Sequence, residues 1–265
     1  MFNNRHVTAI VIARGGSKGL PAKNLRPLLG RPMVAWSIDH AQAMRTVDRV
    51  ALSTDDERIA EVGRAAGVRV ILRPAKLADD TARVDDVLRH AVEELERGRG
   101  DAGTPGRGEE DDAARARGRD AATEGKKLDI LVMLYGNVPV RRPGLLDTAV
   151  SVLATSGCDS VQSFVAVGKF HPWWTYRMDS DGRVAFADDH KIYRRQELPA
   201  LYVPDAAAIV LRRDVLMESA SRRDEPHAFF GSDRRGIVQA DDATIDVDTE
   251  LDLLVAEAML RRRVE

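Results

Sequence analysis

The 265-residue chain has one cysteine, Cys158, so no internal disulfide and no thiolate metal cluster is available to it, which fits a reducing cytoplasm. It has no run of about 18 apolar residues, which excludes a transmembrane helix of ordinary length. The N-terminal MFNNRHVTAIVIARGG has no signal-peptide plan, since its short apolar stretch breaks into Arg14-Gly15-Gly16 with no small-residue cleavage site. A soluble, unexported, cytoplasmic chain with no membrane partner is expected. Excess charge of one sign is also missing: Lys+Arg 40 against Asp+Glu 42 leaves a net −2, which argues against a general nucleic-acid binder. With 44% hydrophobic and 31% charged residues, collagen-like, disordered and membrane classes are disfavoured for the chain as a whole. At about 100 to 200 residues per domain, the length holds one large α/β domain or two smaller ones.

Short strand-like and helix-like segments alternate along the chain. Val7 to Ala13 is a nearly continuous apolar, β-branched run followed by glycines, the pattern of a buried parallel strand. Met33, Trp36, Ile38 and Ala41 recur with helical spacing, and Arg49 to Ser53 reads as a second strand. Thr54-Asp55-Asp56-Glu57 looks like a helix cap with an acidic first turn; Ile59, Val62 and Ala66 share a face, and Gly67 ends it. A strand at Val68 to Leu72, a helix at about Arg83 to Leu95, a strand at Leu128 to Leu134, a helix opened by Pro143 and a strand at Asp159 to Val165 continue the series. This alternation predicts an α/β, doubly wound, mostly parallel sheet covered by helices on both faces.

Two stretches break the pattern. Arg97 to Lys127 contains no Val, Ile, Leu, Met, Phe, Trp or Tyr and mixes eight basic with seven acidic residues. It cannot bury enough apolar surface to offset the entropy of ordering, and is expected to be a disordered charged insertion. Lys169 to Tyr202, with His171-Pro172-Trp173-Trp174 and a turn at Asp179-Ser180-Asp181-Gly182, is expected to leave the sheet as a substrate lid or subunit contact.

The segment Ala13, Arg14, Gly15, Gly16, Ser17, Lys18, Gly19, Leu20, Pro21, Ala22, Lys23, Asn24 follows the first strand, where α/β proteins place ligand loops. Its glycines permit close backbone approach, and Arg14, Lys18 and Lys23 supply the positive charge that a triphosphate requires. Neither GxxxxGK[ST] nor GxGxxG is present, so a P-loop NTPase or a dinucleotide oxidoreductase is unsupported. Near the C-terminus, Asp246 and Asp248 stand two apart before a helix whose Leu251, Leu254, Val255, Ala258 and Met259 form an apolar stripe. In an extended segment the two carboxylates point the same way, as for sharing a divalent ion, while Asp248 or Thr249 is equally suited to cap the helix. Hard oxygen ligands point to Mg²⁺ rather than zinc.

Five short segments in order resemble the acylneuraminate cytidylyltransferases: Ala13 to Asn24; Arg49 to Asp56; Leu72-Arg73-Pro74-Ala75 with Asp80-Thr81; Arg194 to Pro199; and Ile245 to Asp252. The resemblance spans nearly the whole chain outside the arginine-rich insertion. It implies a single Rossmann-like domain of the nucleotide-diphospho-sugar transferase type over 1–265. It further implies transfer of CMP from CTP to a sugar acid with release of pyrophosphate, Mg²⁺ as cofactor, and a homodimer. Through it, Arg14, Lys18, Lys23 and Asn24 match the loop that holds triphosphate and cytidine, and Arg73 matches an arginine of the nucleotide pocket. Arg195 and Gln196 align with the sugar side, and Asp246 and Asp248 with the metal aspartates. Arg141 resembles the arginine that ends a Gln-Pro-Thr-Ser-Pro-Leu-Arg segment.

The departures concentrate on the sugar side. Leu134-Tyr135-Gly136-Asn137-Val138-Pro139-Val140-Arg141 puts the Tyr135 phenol where the family has a glutamine. Asp205-Ala206-Ala207-Ala208-Ile209 replaces Asn-Gly-Ala-Ile-Tyr, placing the Asp205 carboxylate where it would repel a substrate carboxylate unless a cation intervenes. The expectation is a cytidylyltransferase for a sialic-acid-like nonulosonic acid, with Arg14, Lys18 and Lys23 catalytic and Tyr135, Arg195, Gln196 and Asp205 at the sugar. A 3-deoxy-octulosonate or other sugar acceptor, a nucleotide-sugar-binding protein without catalysis, and an RNA-touching scaffold built on the insertion are the alternatives.

Overall fold

The structure, a computed structural model, describes residues 2–98, 128–188, 190–240 and 242–264. The insertion expected over 97–127 lies, from residue 99 on, outside the described residues. In chain order the elements are β1 (Val7–Ile12), β2 (Pro27–Leu28), β3 (Arg31–Pro32), α1 (Met33–Gln42), β4 (Arg49–Thr54), α2 (Glu57–Ala65), β5 (Arg69–Leu72) and α3 (Val84–Glu96). After the insertion come β6 (Ile130–Tyr135), α4 (Leu145–Ser156), β7 (Ser160–Ala166), β8 (Tyr176–Met178), β9 (Val184–Phe186), β10 (Tyr202–Arg212), α5 (Arg213–Glu218), β11 (Arg234–Gln239) and α6 (Glu250–Val264).

One seven-stranded sheet has the order β11-β7-β10-β6-β1-β4-β5. The chain winds outward through β1, β4 and β5, then returns to place β6 on the other side of β1, so the topological switch lies between β1 and β6. Pairing is parallel except for β10, which runs antiparallel to both β6 and β7. The expected doubly wound, mostly parallel α/β architecture is therefore present. Alternation along β1 and β6 explains the two faces. Val7, Ala9 and Val11 with Ile130, Val132 and Leu134 pack under α1, α2 and α4; Ile10 and Ile12 with Leu131 and Met133 pack against α3 and α5.

A third, smaller core positions the site. Leu20 from the loop after β1, Leu28, Met33, Val140, Val247 and three residues of α6 share one cluster. Here the sequence expectation for α6 needs correction: the helix buries Leu253, Ala256 and Leu260, while Leu251, Leu254 and Val255 are exposed. Both triplets fit a helical stripe. The direction from which α6 meets the loop decides between them, and that is a tertiary fact.

At the opposite face of the sheet a buried ion network locks α3 to α5. Arg89 Nη2 donates to Asp85 Oδ2 at 2.5 Å and Asp86 Oδ1 at 2.9 Å, and its Nη1 donates to Ser219 Oγ at 3.0 Å and the Leu216 carbonyl at 3.2 Å. Burial acts to raise the Asp85 pKa, yet hydrogen bonds from Arg83 and Arg89 hold it below the ordinary 3.8. Its contribution to stability is present above pH 3.8 and falls away as the pH drops through the lowered pKa. Arg89→Ala takes one of two cations from the buried Asp85, which keeps Arg83, and from the half-buried Asp86, which keeps Arg223, and is expected to cost about 1.5–3 kcal/mol in urea unfolding at pH 7; a loss under about 1 kcal/mol would show that the network is not a stabilising one.

Candidate active site

The carboxyl ends of β1, β4, β5 and β6 open on one edge of the sheet, and the 13–24 loop rises from β1 into that edge. Ala13 is buried and its N–H donates to the Ser53 carbonyl, so the loop starts pinned to β4. Gly15 N–H donates to Asp55 Oδ1 at 3.2 Å. Gly16 is open to solvent and Ser17 half-buried beside it. Gly19 has a stricter role: a Cβ there would lie 2.7 Å from the backbone carbonyl oxygen of Asp248, which cannot swing aside. The loop therefore rests directly on the aspartate segment.

Each loop cation meets a carboxylate. Arg14 Nη1 and Lys18 Nζ both reach Asp80, and Lys23 Nζ lies 2.5 Å from Asp248 Oδ1. Asn24 is buried with its Nδ2 donating to the Arg14 carbonyl, while its Oδ1 has no protein partner. Arg73, at the end of β5, is buried and pairs with Asp55 at 3.3 Å. Burial pulls its pKa down and the Asp55 charge opposes that. Arg73 Nε and Ser53 Oγ are likewise buried without a protein partner. Asn24, Ser53 and Arg73 thus carry three buried polar atoms whose hydrogen bonds no protein group supplies.

Asp246 and Asp248 flank Val247, whose side chain is buried in the small core, so both carboxylates lie on the other side of the segment. The competing capping role falls to Thr249. Asp252 N–H donates to Thr249 Oγ1 at 3.2 Å and Thr249 N–H donates to Asp252 Oδ2 at 2.8 Å, a reciprocal box that leaves the Asp248 carboxylate out of the cap. Asn137 Nδ2 donates to Asp246 Oδ1 and, at 3.2 Å, to the Val247 carbonyl. Sequence reasoning missed Asn137 as a site residue, because nothing local in the chain marks an amide 109 positions from its partner. Desolvation, then the Asp248 charge, push the Asp246 carboxyl above 3.8, and a bound cation would relieve both. Among the described residues no group of three or more His, Cys, Asp or Glu side chains is placed to hold a metal ion. Two carboxylates fit a hard divalent cation that takes its other ligands from phosphate or water.

Of the residues expected at the sugar, Tyr135 ends β6; its phenol is raised in pKa by burial, then by the Asp246 charge. Asp205 sits on a register shift in β10, followed by Ala206 with φ +60. Its carboxylate accepts from Ser163 Oγ, from Gln239 Nε2 at 2.5 Å and from Ala207 N–H at 3.0 Å. Three neutral donors thus stabilise the Asp205 charge without cancelling it. A cavity of ≈ 220 Å³ opens between Asp205-Ala206 and Thr244-Ile245-Asp246, with Val165 and Pro204 in its wall. Arg195 and Gln196 stand exposed on a 3₁₀ turn, with Arg195 Nη2 3.6 Å from where a Gly168 Cβ would sit. His171 is buried; its Nε2 lies 3.1 Å from the Pro199 carbonyl and its Nδ1 accepts from Trp173 N–H, so it braces the excursion.

Behind these residues lies Arg141, fully buried. Its guanidinium donates to the carbonyls of Ala207 (2.8 Å), Val138 and Tyr135 (3.3 Å) and to Ser37 Oγ (3.0 Å). Burial lowers its pKa to about 9, against the Asp205 and Asp246 charges, so it is cationic at neutral pH. Arg141 is a positioning residue that joins α1, the end of β6 and the bulge of β10.

The chain is 27% identical over 247 residues to the N-acylneuraminate cytidylyltransferase of Streptococcus agalactiae serotype III, covering 92% of this chain and 51% of that protein. It is 41% identical over 88 residues to the pseudaminic acid cytidylyltransferase of Campylobacter jejuni, covering 33% of this chain and 38% of that one. The family model described as cytidylyltransferase matches residues 8–97, the span that carries the loop and Arg73. Over residues 8–97 the chain is thus similar to the cytidylyltransferases, and at 27% identity the likeness to one of them runs over most of this chain's length. The chain spans about half the length of the Streptococcus relatives it matches. A solved structure, CMP:2-keto-3-deoxy-manno-octonic acid synthetase complexed with CTP, superposes with TM-score 0.66 at 20% identity over 97% of this chain and 99% of that one, a likeness of fold.

Asp246 also makes a titration statement. Its folded pKa is raised, so the stability it lends is present below pH 3.8 and is lost as the pH rises through the folded value. Asp246→Asn is expected to melt above the wild type at pH 7 and level with it below pH 3.8. A variant less stable than wild type at pH 7 in a metal-free thermal melt would overturn that sign.

Proposed function

We propose that this chain is a cytidylyltransferase that transfers CMP from CTP to a sialic-acid-like nonulosonic 2-keto sugar acid, with Mg²⁺, releasing pyrophosphate in cell-surface glycan synthesis. One observation carries the reading: the cationic loop and the aspartate pair are a single construction, joined by Lys23 on Asp248 at 2.5 Å and by Gly19 against the Asp248 carbonyl. A nucleotidyl transfer needs those two groups within one phosphate chain of each other. The names of the Streptococcus and Campylobacter relatives support the acceptor class.

In this reading the anomeric hydroxyl oxygen of the sugar acid bonds to the α-phosphorus of CTP as the bond from that phosphorus to the α–β bridging oxygen breaks, the hydroxyl proton passes to solvent water, and pyrophosphate leaves with the bridging oxygen. Arg14 and Lys18 neutralise the leaving pyrophosphate, and Lys23 acts between it and the α-phosphate. Mg²⁺ held by Asp246 and Asp248 would polarise the phosphate. Asn137 fixes Asp246, and Asn24 and Arg73 are assigned to the nucleotide. The cavity beside Asp205 takes part of the acceptor, with Tyr135 nearby and Arg195 and Gln196 assigned to the sugar acid. The single buried cysteine suits a reducing cytoplasm.

The test is pyrophosphate release with CTP and Mg²⁺ across nonulosonic and octulosonic acids, with ATP, GTP and UTP as controls. Turnover with CTP and a nonulosonic acid is expected, falling about 10²- to 10³-fold in Lys18→Ala or Asp248→Ala. Selective turnover of an octulosonic acid would move the acceptor to that class, and CTP binding with no release across the panel would make the chain a binding protein.

A homodimer through the 169–202 excursion belongs to the same proposal. The β8–β9 hairpin leaves Tyr176, Met178, Val184 and Phe186 exposed, with Tyr176 stacked on Phe186 at 4.5 Å. Such a patch asks to be covered. Light scattering at micromolar concentration is expected to give twice the chain mass, reduced by Met178→Glu; a monomeric wild type would remove the claim.

A further inference from the structure

The two cations assigned above to the departing pyrophosphate both end on one carboxylate. Arg14 Nη1 lies 3.0 Å from Asp80 Oδ1 and Lys18 Nζ 2.6 Å from Asp80 Oδ2, so the aspartate spends both oxygens on the loop. Asp80 arrives from the far side of the crevice, on the turn between β5 and α3. That turn is prebuilt. Ala75–Leu77 forms a 3₁₀ helix, and Thr81 donates from both N–H (2.9 Å) and Oγ1 (2.8 Å) to Asp79 Oδ1. Arg14 Nη1 also lies 3.4 Å from the Asp79 carbonyl.

Structural reinforcement is a poor account of this arrangement. Lys18 is 83% exposed and Asp80 45%, and ion pairs that open to water add little to stability. Their effect falls on whatever else would use the same N–H groups. Two carboxylate oxygens set on two cations reproduce what two oxygens of a phosphate chain would do there. We propose that Asp80 is a specificity-determining residue, an internal stand-in for pyrophosphate that a triphosphate must displace and that recaptures Arg14 and Lys18 as pyrophosphate leaves. A ligand bringing one phosphate offers these cations little more than Asp80 already does, whereas a polyphosphate outcompetes it. The carboxylate thus trades ground-state affinity for selectivity and for product release. The inference rests on the cytidylyltransfer reading, in which Arg14 and Lys18 face the leaving group.

The test is calorimetric titration of the full chain with inorganic pyrophosphate, and separately with CMP, in Mg²⁺. Asp80→Asn is expected to bind pyrophosphate about 3- to 30-fold tighter than wild type, since two exposed pairs each compete by up to about fivefold. CMP affinity is expected to change by less than about twofold, and Asp80→Glu, which keeps the charge, to stay near wild type. Equal or weaker pyrophosphate binding by Asp80→Asn, equal tightening in Asp80→Glu, or the same tightening toward CMP would each overturn the role of Asp80 while leaving the transfer reading intact. No pyrophosphate binding by wild type or variant would overturn that reading, and this inference with it.

Discussion

The site is organised around one buried cation. Arg141 has no path to water, and an arginine in that position costs several kcal/mol of lost hydration unless its donors are met. They are met by backbone carbonyls of Tyr135, Val138 and Ala207 and by the hydroxyl of Ser37. Those acceptors come from the end of β6, the segment after it, α1 and the irregular part of β10. Moving any of them would leave a buried charge unpaired, so the edge of the sheet where the crevice opens is over-determined. The Asp205 and Asp246 charges favour the ionised guanidinium from in front.

A second constraint is geometric closure. The small core of Leu20, Leu28, Met33, Val140, Val247, Leu253, Ala256 and Leu260 pulls the first loop and the last helix of the described chain onto the same spot. Apolar burial here has the consequence of bringing charge together: Val247 goes inward, so Asp246 and Asp248 go outward, and Lys23 lies beside them. Close backbone contact at Gly19 leaves no room for a larger residue between loop and aspartates. At Gly136 a Cβ would meet Asn24 Oδ1 at 2.7 Å and Ala13 Cβ at 2.9 Å, so the segment after β6 is equally tight against the loop.

The near-neutral charge of the chain has a local counterpart. Arg14 and Lys18 share Asp80, Lys23 meets Asp248 and Arg73 meets Asp55, so every one of these cations already touches a carboxylate. A loop of unbalanced cations would bind any anion. A loop whose cations are already paired binds what can replace the carboxylates, and the energy of such exchange depends on ligand charge more than on contact area.

The sequence by itself determined the elements whose burial follows their own periodicity. The runs of β1, β4 and β6 and the amphipathic faces of α2 and α3 are legible because hydrophobic spacing is a local quantity. The phosphate-type loop and the two aspartates were legible for a similar reason, since their residue types and spacing are contiguous. The tertiary structure alone decided the rest. Tyr202–Arg212 and Arg234–Gln239 were not read as strands, because β10 is broken by a register shift and β11 mixes Arg and Gly into an edge position. Which stripe of α6 faces inward, that Asn137 holds Asp246, and that Asp80 meets Arg14 and Lys18 depend on pairs far apart in the chain. No local rule encodes such pairs: they are set where the layers of the sheet and the small core by α6 close on one another, and only closure brings those side chains within a hydrogen bond's reach.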